Sequence, residues 1–259
     1  MNRTNLLILL LFVFLSDVYC QRKLPKDINM GPFSSVPSPI VRWDFNKDQT
    51  DSDGVVESRL MGNAKVKDGY LVLESDGSYL KTDSLPRKIS EKTFVTQVLM
   101  KDIDQRGSGV VTIQSLNGAA FDSLVFAELK PKTWMNGSEY FTRTKGDEGQ
   151  EEKDTTLPIH LAITYNKEGE IRVYRNGVPY RSPYQTKTPI QVFRKKDSNI
   201  LIGRRHEDGA NPQFKGKIDF VEIYNEALSQ DQIKQLFETA SRDNYNLTSA
   251  NSATNPRQK

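Results

Sequence analysis

The sequence predicts an all-β protein, a two-sheet antiparallel jelly-roll sandwich with one short C-terminal helix. Three observations carry that prediction. Apolar residues recur with period two in short runs rich in β-branched and aromatic side chains, closed by Gly, Asp or Asn. One hairpin signal, Asn176-Gly177, is strong because both central positions of such a turn need positive φ. Only one segment, beginning near Ser229, shows helical spacing. No repeat of about 20 to 50 residues is evident, which argues against a propeller or solenoid.

Taken in order, Tyr70-Leu-Val-Leu-Glu74, Thr93 to Met100, Gly109 to Gln114 and Ser123 to Glu128 are short strand-like runs. Pro158 to Tyr165 is the next strand, Asn166-Lys-Glu-Gly-Glu its turn, and Ile171 to Arg175 its partner. Val178-Pro-Tyr180 folds back after Asn176-Gly177, and Asn199 to Gly203 and Ile218 to Tyr224 supply two more strands. At the helix start, Ser229 and Gln232 stand at capping-box spacing. Leu228 and Ile233 can staple the entry, and Ile233, Leu236 and Phe237 fall on one stripe.

The N-terminus reads as a signal peptide over residues 1–20. Arg3 precedes the apolar run Leu6 to Leu15, too short for the roughly 20 residues that cross a bilayer, and Val18-Tyr19-Cys20 permits cleavage before Gln21. The expected location is secreted, periplasmic or extracellular, with no membrane span in the mature chain. Lipidation at Cys20 is a second reading, against which Asp17-Val18-Tyr19 argues. Cys20 is the only cysteine, so a mature chain without it rests on its core rather than on disulfides. Residues 21–39 form a polar, Pro-rich leading segment, 40–240 a single domain, and 241–259 a tail with little to bury, expected to be disordered.

The formal net charge is +3 and the charges are interspersed, which gives no basis for nucleic-acid binding. No nucleophile elbow, phosphate loop or dinucleotide fingerprint occurs, so no organic cofactor is expected. The two histidines, His160 and His206, lack partners at zinc spacing. His160 reads as a hydrogen-bonded structural residue. Asn136-Gly-Ser and Asn246-Leu-Thr are glycosylation acceptors in a eukaryotic host.

Several blocks, in order, resemble a laminin-G-like domain of the concanavalin A-like lectin/glucanase superfamily. They are Trp43-Asp44-Phe45; then Phe121, Asp122, Glu128, Trp134, Gly137, Ser138, Phe141, Arg143 and Thr144; then His160-Leu-Ala-Ile-Thr-Tyr165 with Tyr174-Arg-Asn-Gly177; and finally Gly216-Lys-Ile-Asp219 to Ala227-Leu-Ser229. The resemblance implies a non-catalytic module that binds a carbohydrate or an extracellular protein, often with one calcium ion. The alternatives are a polysaccharide-degrading enzyme of the same superfamily and a passive adhesion or matrix domain. Retaining hydrolases of this fold carry a strand with paired carboxylates. The nearest string here is Asp219-Phe-Val-Glu222, whose spacing on a regular strand points the two to opposite faces.

Candidate ligand-binding residues are Trp134, Asp122, Arg204, Arg205 and His206. Trp43 and Trp134 are either stacking platforms or core. If Phe121 faces the core, Asp122 faces out, toward a ligand, a loop amide or solvent. Gly203-Arg-Arg-His-Glu-Asp-Gly209 is a polar loop after a strand, in which Arg204 and Arg205 suit the carboxylates or sulfates of an acidic glycan; the alternative is a solvated turn. Asp51 and Asp53, in the acidic loop before Gly54, and Asp219 form the candidate calcium set, although a solvated acidic loop is the ordinary outcome. Arg143 and Arg175 are expected to pair with buried carboxylates.

Overall fold

The computed structural model describes residues 35–47, 55–146, 148–207 and 213–253, the side chains of 47 and 242–253 excepted. The expected signal peptide, Cys20, Asp51 and Asp53 lie outside the described residues. Strands β1 (Val41–Asp44), β3 (Lys65–Lys67), β4 (Tyr70–Leu73), β6 (Lys92–Met100), β10 (Ile159–Tyr165), β11 (Glu170–Arg175), β12 (Val178–Pro179), β13 (Tyr184–Gln185) and β15 (Gly216–Tyr224) form a nine-stranded sheet. Strands β2 (Ser58–Met61), β5 (Tyr79–Thr82), β7 (Ser108–Ser115), β8 (Phe121–Phe126), β9 (Trp134–Ser138) and β14 (Ser198–Ile202) form a six-stranded sheet in the order β2-β5-β14-β7-β8-β9. Every pairing between these strands is antiparallel. The two sheets pack as the predicted jelly-roll sandwich.

Alternation places one main core between the sheets. Phe94, Val98, Leu161, Ile163, Val173, Val221 and Ile223 come from the larger sheet and meet Leu80, Ile113, Leu124, Phe126, Trp134, Ile200 and Ile202 from the smaller. A second cluster covers the outer face of the larger sheet, where Val95, Ala162, Tyr174 and Tyr224 receive Leu228 and Ile233. Ile233 lies in the first turn of helix α1 (Gln230–Ala253), and Leu228 just ahead of its cap. The capping box forms reciprocally: Gln232 N donates to Ser229 Oγ and Ser229 N to Gln232 Oε1. The helix continues past Ala240, where the tail is expected to begin. Asn176 and Gly177 both have positive φ, 51° and 76°, as their hairpin requires.

In β15 the register shifts between Ile218 and Phe220. This bulge turns the Asp219 carboxylate toward Gln97, whose Nε2 donates to it at 2.7 Å. Gln97 and Val95 share a face, and Glu222 pairs with Val95, so Asp219 and Glu222 lie on the same outer face. The expectation of opposite faces assumed unbroken alternation and fails at the bulge.

Candidate functional site

The site is built around the turn after β9, which begins with Glu139. Ser138 is extended, but Tyr140 (φ 46°, ψ 25°) and Phe141 (φ 58°) both adopt the left-handed conformation. Side chains with a Cβ enter that region at a cost of about 1–2 kcal/mol each, so surrounding bonds must hold them there. Thr142 N donates to Glu139 O, Arg143 N to Ser138 Oγ, and Ser138 N to Thr144 Oγ1. Beneath the turn, the Arg143 guanidinium donates to Glu139 Oε2 at 2.6 Å and to Asp122 Oδ1 at 2.9 Å. The result is two adjacent aromatic rings facing solvent, Tyr140 at 90 % and Phe141 at 53 % exposure. Large exposed apolar groups are the informative kind of surface.

Asp122 is wholly buried, contrary to the expectation that it faces out. On β8 the inward residues are Asp122, Leu124 and Phe126, and Phe121 faces outward. Lys92 of the opposite sheet, also wholly buried, sets its Nζ 2.9 Å from Asp122 Oδ2 and donates to Ser90 O. Burial lowers the pKa of Lys92 against the pull of Asp122. For Arg143 burial likewise opposes the charge, but Asp122 and Glu139 more than offset it and its pKa is raised. Asp122 therefore anchors the turn from inside the core and has no surface for a ligand.

The second wall is the segment after β14. Its residues cross the outer face of the six-stranded sheet as a strap. Thr112 Oγ1 donates to Arg204 O, Glu207 N to Gln114 Oε1, and Gln114 Nε2 to Glu207 Oε2. Tyr79 OH and Lys81 Nζ donate to Glu207 at 2.9 and 2.6 Å. Burial opposes ionisation of Glu207, yet Lys81, Tyr79 and Gln114 outweigh it and hold its pKa below the usual carboxylate value. Gly109 makes this approach possible, since a Cβ there would lie 2.3 Å from Arg205 Cα and N. The strap lays His206 flat on Phe121, centroids 4.2 Å apart, and pairs Arg205 with Glu128. Between strap and turn lies a cleft of about 140 Å³, lined by Gly118, Ala119, Phe121, Glu128, Ser138, Glu139, Tyr140, Phe141, Arg205 and His206.

Of the residues singled out in the sequence, Arg205 and His206 thus come together in one cleft. Arg204 sits farther along the strap, its guanidinium 5.0 Å from the Tyr79 ring centroid. Trp134 is wholly buried, against Phe126, and donates from Nε1 to Glu152 Oε1 at 2.7 Å. It is core, and it presents no face to a sugar. Trp43 is buried as well. Asn136 faces the interior, accepts from Arg181 and donates to Arg143 O, so it does not serve as a glycosylation acceptor in this fold. Arg175 pairs with a buried carboxylate as expected, bidentate to Glu152 at 2.7 and 2.8 Å.

Asp219 lies on the other sheet. Burial raises its pKa, although Asn46 Nδ2 and Gln97 Nε2 both donate to it. Each of its oxygens accepts from one amide donor, and among the described residues, which exclude Asp51 and Asp53, no group of three or more His, Cys, Asp or Glu is arranged to hold a metal. Glu222 accepts from Tyr224 OH at 2.6 Å and faces Arg42. Although the two carboxylates share a face, each is engaged separately.

The sequence reading missed Tyr140 and Glu139. A signal was present: in Glu139-Tyr140-Phe141 two aromatics stand side by side, and a strand cannot send both to one face.

The family model described as the concanavalin A-like lectin/glucanases superfamily matches residues 76–234. The chain belongs to that superfamily. No protein of curated function matches it in sequence. Among solved structures, domain 4 of the extracellular arabinanase AbnA from Geobacillus stearothermophilus, in complex with arabinotriose, superposes with a TM-score of 0.55 at 20 % identity, over 78 % of this chain and 99 % of that one. A Trypanosoma rangeli sialidase superposes at 0.53 with 16 % identity, over 83 % of this chain and 35 % of the sialidase. The binding domain of botulinum neurotoxin serotype D superposes at 0.51 with 16 % identity, over 78 % and 52 %. This superfamily member thus spans about a third of the sialidase and about half of the toxin fragment. At these identities the likeness is one of fold. Among the described residues no helix is long and apolar enough to cross a membrane.

Proposed function

We propose that this chain is a secreted, non-catalytic recognition module that binds carbohydrate in the cleft between the Tyr140–Phe141 turn and the Arg205–His206 strap. The observation that carries the reading is the pair of solvent-facing aromatic rings held in left-handed backbone by Glu139, Arg143 and buried Asp122. Strain of this kind persists only where surrounding bonds over-determine it, and it clusters at ligand sites. Rings so fixed offer a flat apolar face for the C–H side of a sugar at little ordering cost on binding. The superfamily supports the reading, as does the structural neighbour that was solved with arabinotriose. The alternatives implied in the sequence, a polysaccharide-degrading enzyme or a passive adhesion domain, have no comparable feature: Glu128 and Glu139, the carboxylates of the cleft, are each engaged by an arginine.

The test is glycan-array binding with the full chain beside its Tyr140→Gly variant, in calcium and again in chelator. Glycine occupies the left-handed region without penalty, so the variant keeps its melting temperature and loses binding. Binding that survives Tyr140→Gly, or no glycan bound at all, overturns the proposal. Binding that only chelator abolishes directs the search to Asp51, Asp53 and Asp219 instead.

A further inference from the structure

We infer that the saccharide taken by this cleft is uncharged. This rests on the carbohydrate reading above and adds to it the chemical class of the ligand. The sequence alone suggests the reverse, since Arg204 and Arg205 beside a histidine resemble a receptor for carboxylate or sulfate. The geometry removes both arginines from that role. Arg205 is paired with Glu128, and Arg204 turns away to the Tyr79 ring while its Nε donates to His206 O.

The second carboxylate of the cleft, Glu139, is balanced from below by Arg143. Glu128 and Glu139 stand against Arg205 and Arg143, and Asp122 beneath the turn stands against Lys92, so opposite charges in and directly under the cleft are matched in number. Recognition of an anion by arginine depends on a guanidinium fork turned toward it, and here the forks of Arg205 and Arg143 are directed at Glu128, Glu139 and Asp122.

What the cleft does offer is acceptor capacity beside apolar surface. An ionised carboxylate has about four lone-pair sites. Glu139 Oε2 takes Arg143 Nη2 and Phe121 N, while Oε1 receives only a long bond from Thr142 Oγ1 at 3.4 Å. That oxygen suits a ligand bringing hydroxyl donors. A sialate, uronate or sulfate would set acceptor oxygens against it and add like-charge repulsion, a device that rejects wrong partners. A neutral sugar supplies O–H donors at its edge and C–H groups on its face for Tyr140 and Phe141.

The experiment is calorimetry on the full chain with neutral arabino-, xylo- and gluco-oligosaccharides and with sialylated, uronate-containing and sulfated ones. Each series is run at about 30 mM and about 300 mM salt, a range over which exposed ionic contacts are progressively screened. The expected result is a neutral ligand whose Kd changes less than about twofold across that range, with anionic ligands at least about tenfold weaker. Glu128→Gln removes the charge that balances Arg205 and leaves side-chain shape nearly unchanged. It raises affinity for anionic ligands several-fold at low salt, and the gain fades at high salt. A wild-type chain whose tightest ligand is anionic and salt-sensitive overturns this inference and leaves the carbohydrate reading standing. So does salt-sensitive preference for a cationic amino sugar, or a Glu128→Gln variant with no gain for anions. No saccharide of any class bound by wild type overturns both.

Discussion

His160 sits on the outer face of the nine-stranded sheet, beneath α1, where the Phe220 and Phe237 rings approach it with centroids at 6.1 and 5.6 Å. It is 1 % exposed. Its backbone N–H is satisfied by Asn176 Oδ1, but neither ring nitrogen has a hydrogen-bond partner among the described residues, so the side-chain bonding expected from the sequence is absent. Burial pushes its pKa down from 6.5 to about 4. In the unfolded chain the ring takes up a proton near 6.5, whereas in the folded chain it resists until about 4. Between those values the unfolded state binds more protons, so stability falls as pH falls through this window and is unaffected by His160 above it. A displacement of this size corresponds to about 3 kcal/mol at roughly 1.36 kcal/mol per pH unit. His160→Leu removes the titration and keeps apolar packing under Phe237. Urea unfolding of both chains at steps from about pH 7.5 to about pH 4 measures it, and the gap between them should shift by about 3 kcal/mol in favour of Leu, with m unchanged. Parallel stability curves, or a ring that titrates near 6.5 by NMR in the folded chain, would refute the reasoning.

Two further outcomes follow from the same structure. Arg143→Met leaves Asp122 with Lys92 as its one ionic partner and strips Glu139 of its cation, costing about 1.5–3 kcal/mol by denaturant melting, while the double replacement of Lys92 and Asp122 by Met and Leu costs less than the sum of the two single changes. Gly109→Ala drives a Cβ against the Arg205 backbone and lifts the strap. Glycan affinity then falls by about tenfold or more although Tyr140 and Phe141 are untouched, and an unaltered Kd would show that the strap is not part of the site.

Most of the strand framework was legible from alternation because one face of each such strand meets the main core. The main strands of both sheets, the Asn176-Gly177 hairpin and the capping box at Ser229 all follow local rules. The sign of alternation was not legible on β8. Phe121-Asp122-Ser123-Leu124-Val125-Phe126 carries one polar and two apolar residues on each face, and both faces are covered. Pattern alone cannot say which is inward; the outer face is dry because a strap from 85 residues later in the chain (His206 against Phe121) lies over it. Asp219 failed for a related reason, since a bulge leaves no trace in residue spacing. Trp134 was ambiguous by nature: a large aromatic with one N–H suits both a sugar platform and a core with a buried acceptor, and Glu152 supplies the acceptor. Pairing of Arg143 and Arg175 with buried carboxylates was anticipated correctly.

Lys92 comes from one sheet and Asp122 from the other, with Arg143 closing the group from the turn that presents Tyr140. Leucines and valines are indifferent lubricants, and two greasy faces displaced by one ladder step of about 3.4 Å recover most of their contacts. Three ions do not. Out of alignment, Lys92 would stand alone in a dry interior and Asp122 would keep only Arg143, at a cost of several kcal/mol, so the misaligned sandwich is removed from competition rather than the correct one deepened. The buried charges thus work as an alignment key, and the stacking of the two sheets is translated directly into the position of an aromatic ring on the surface.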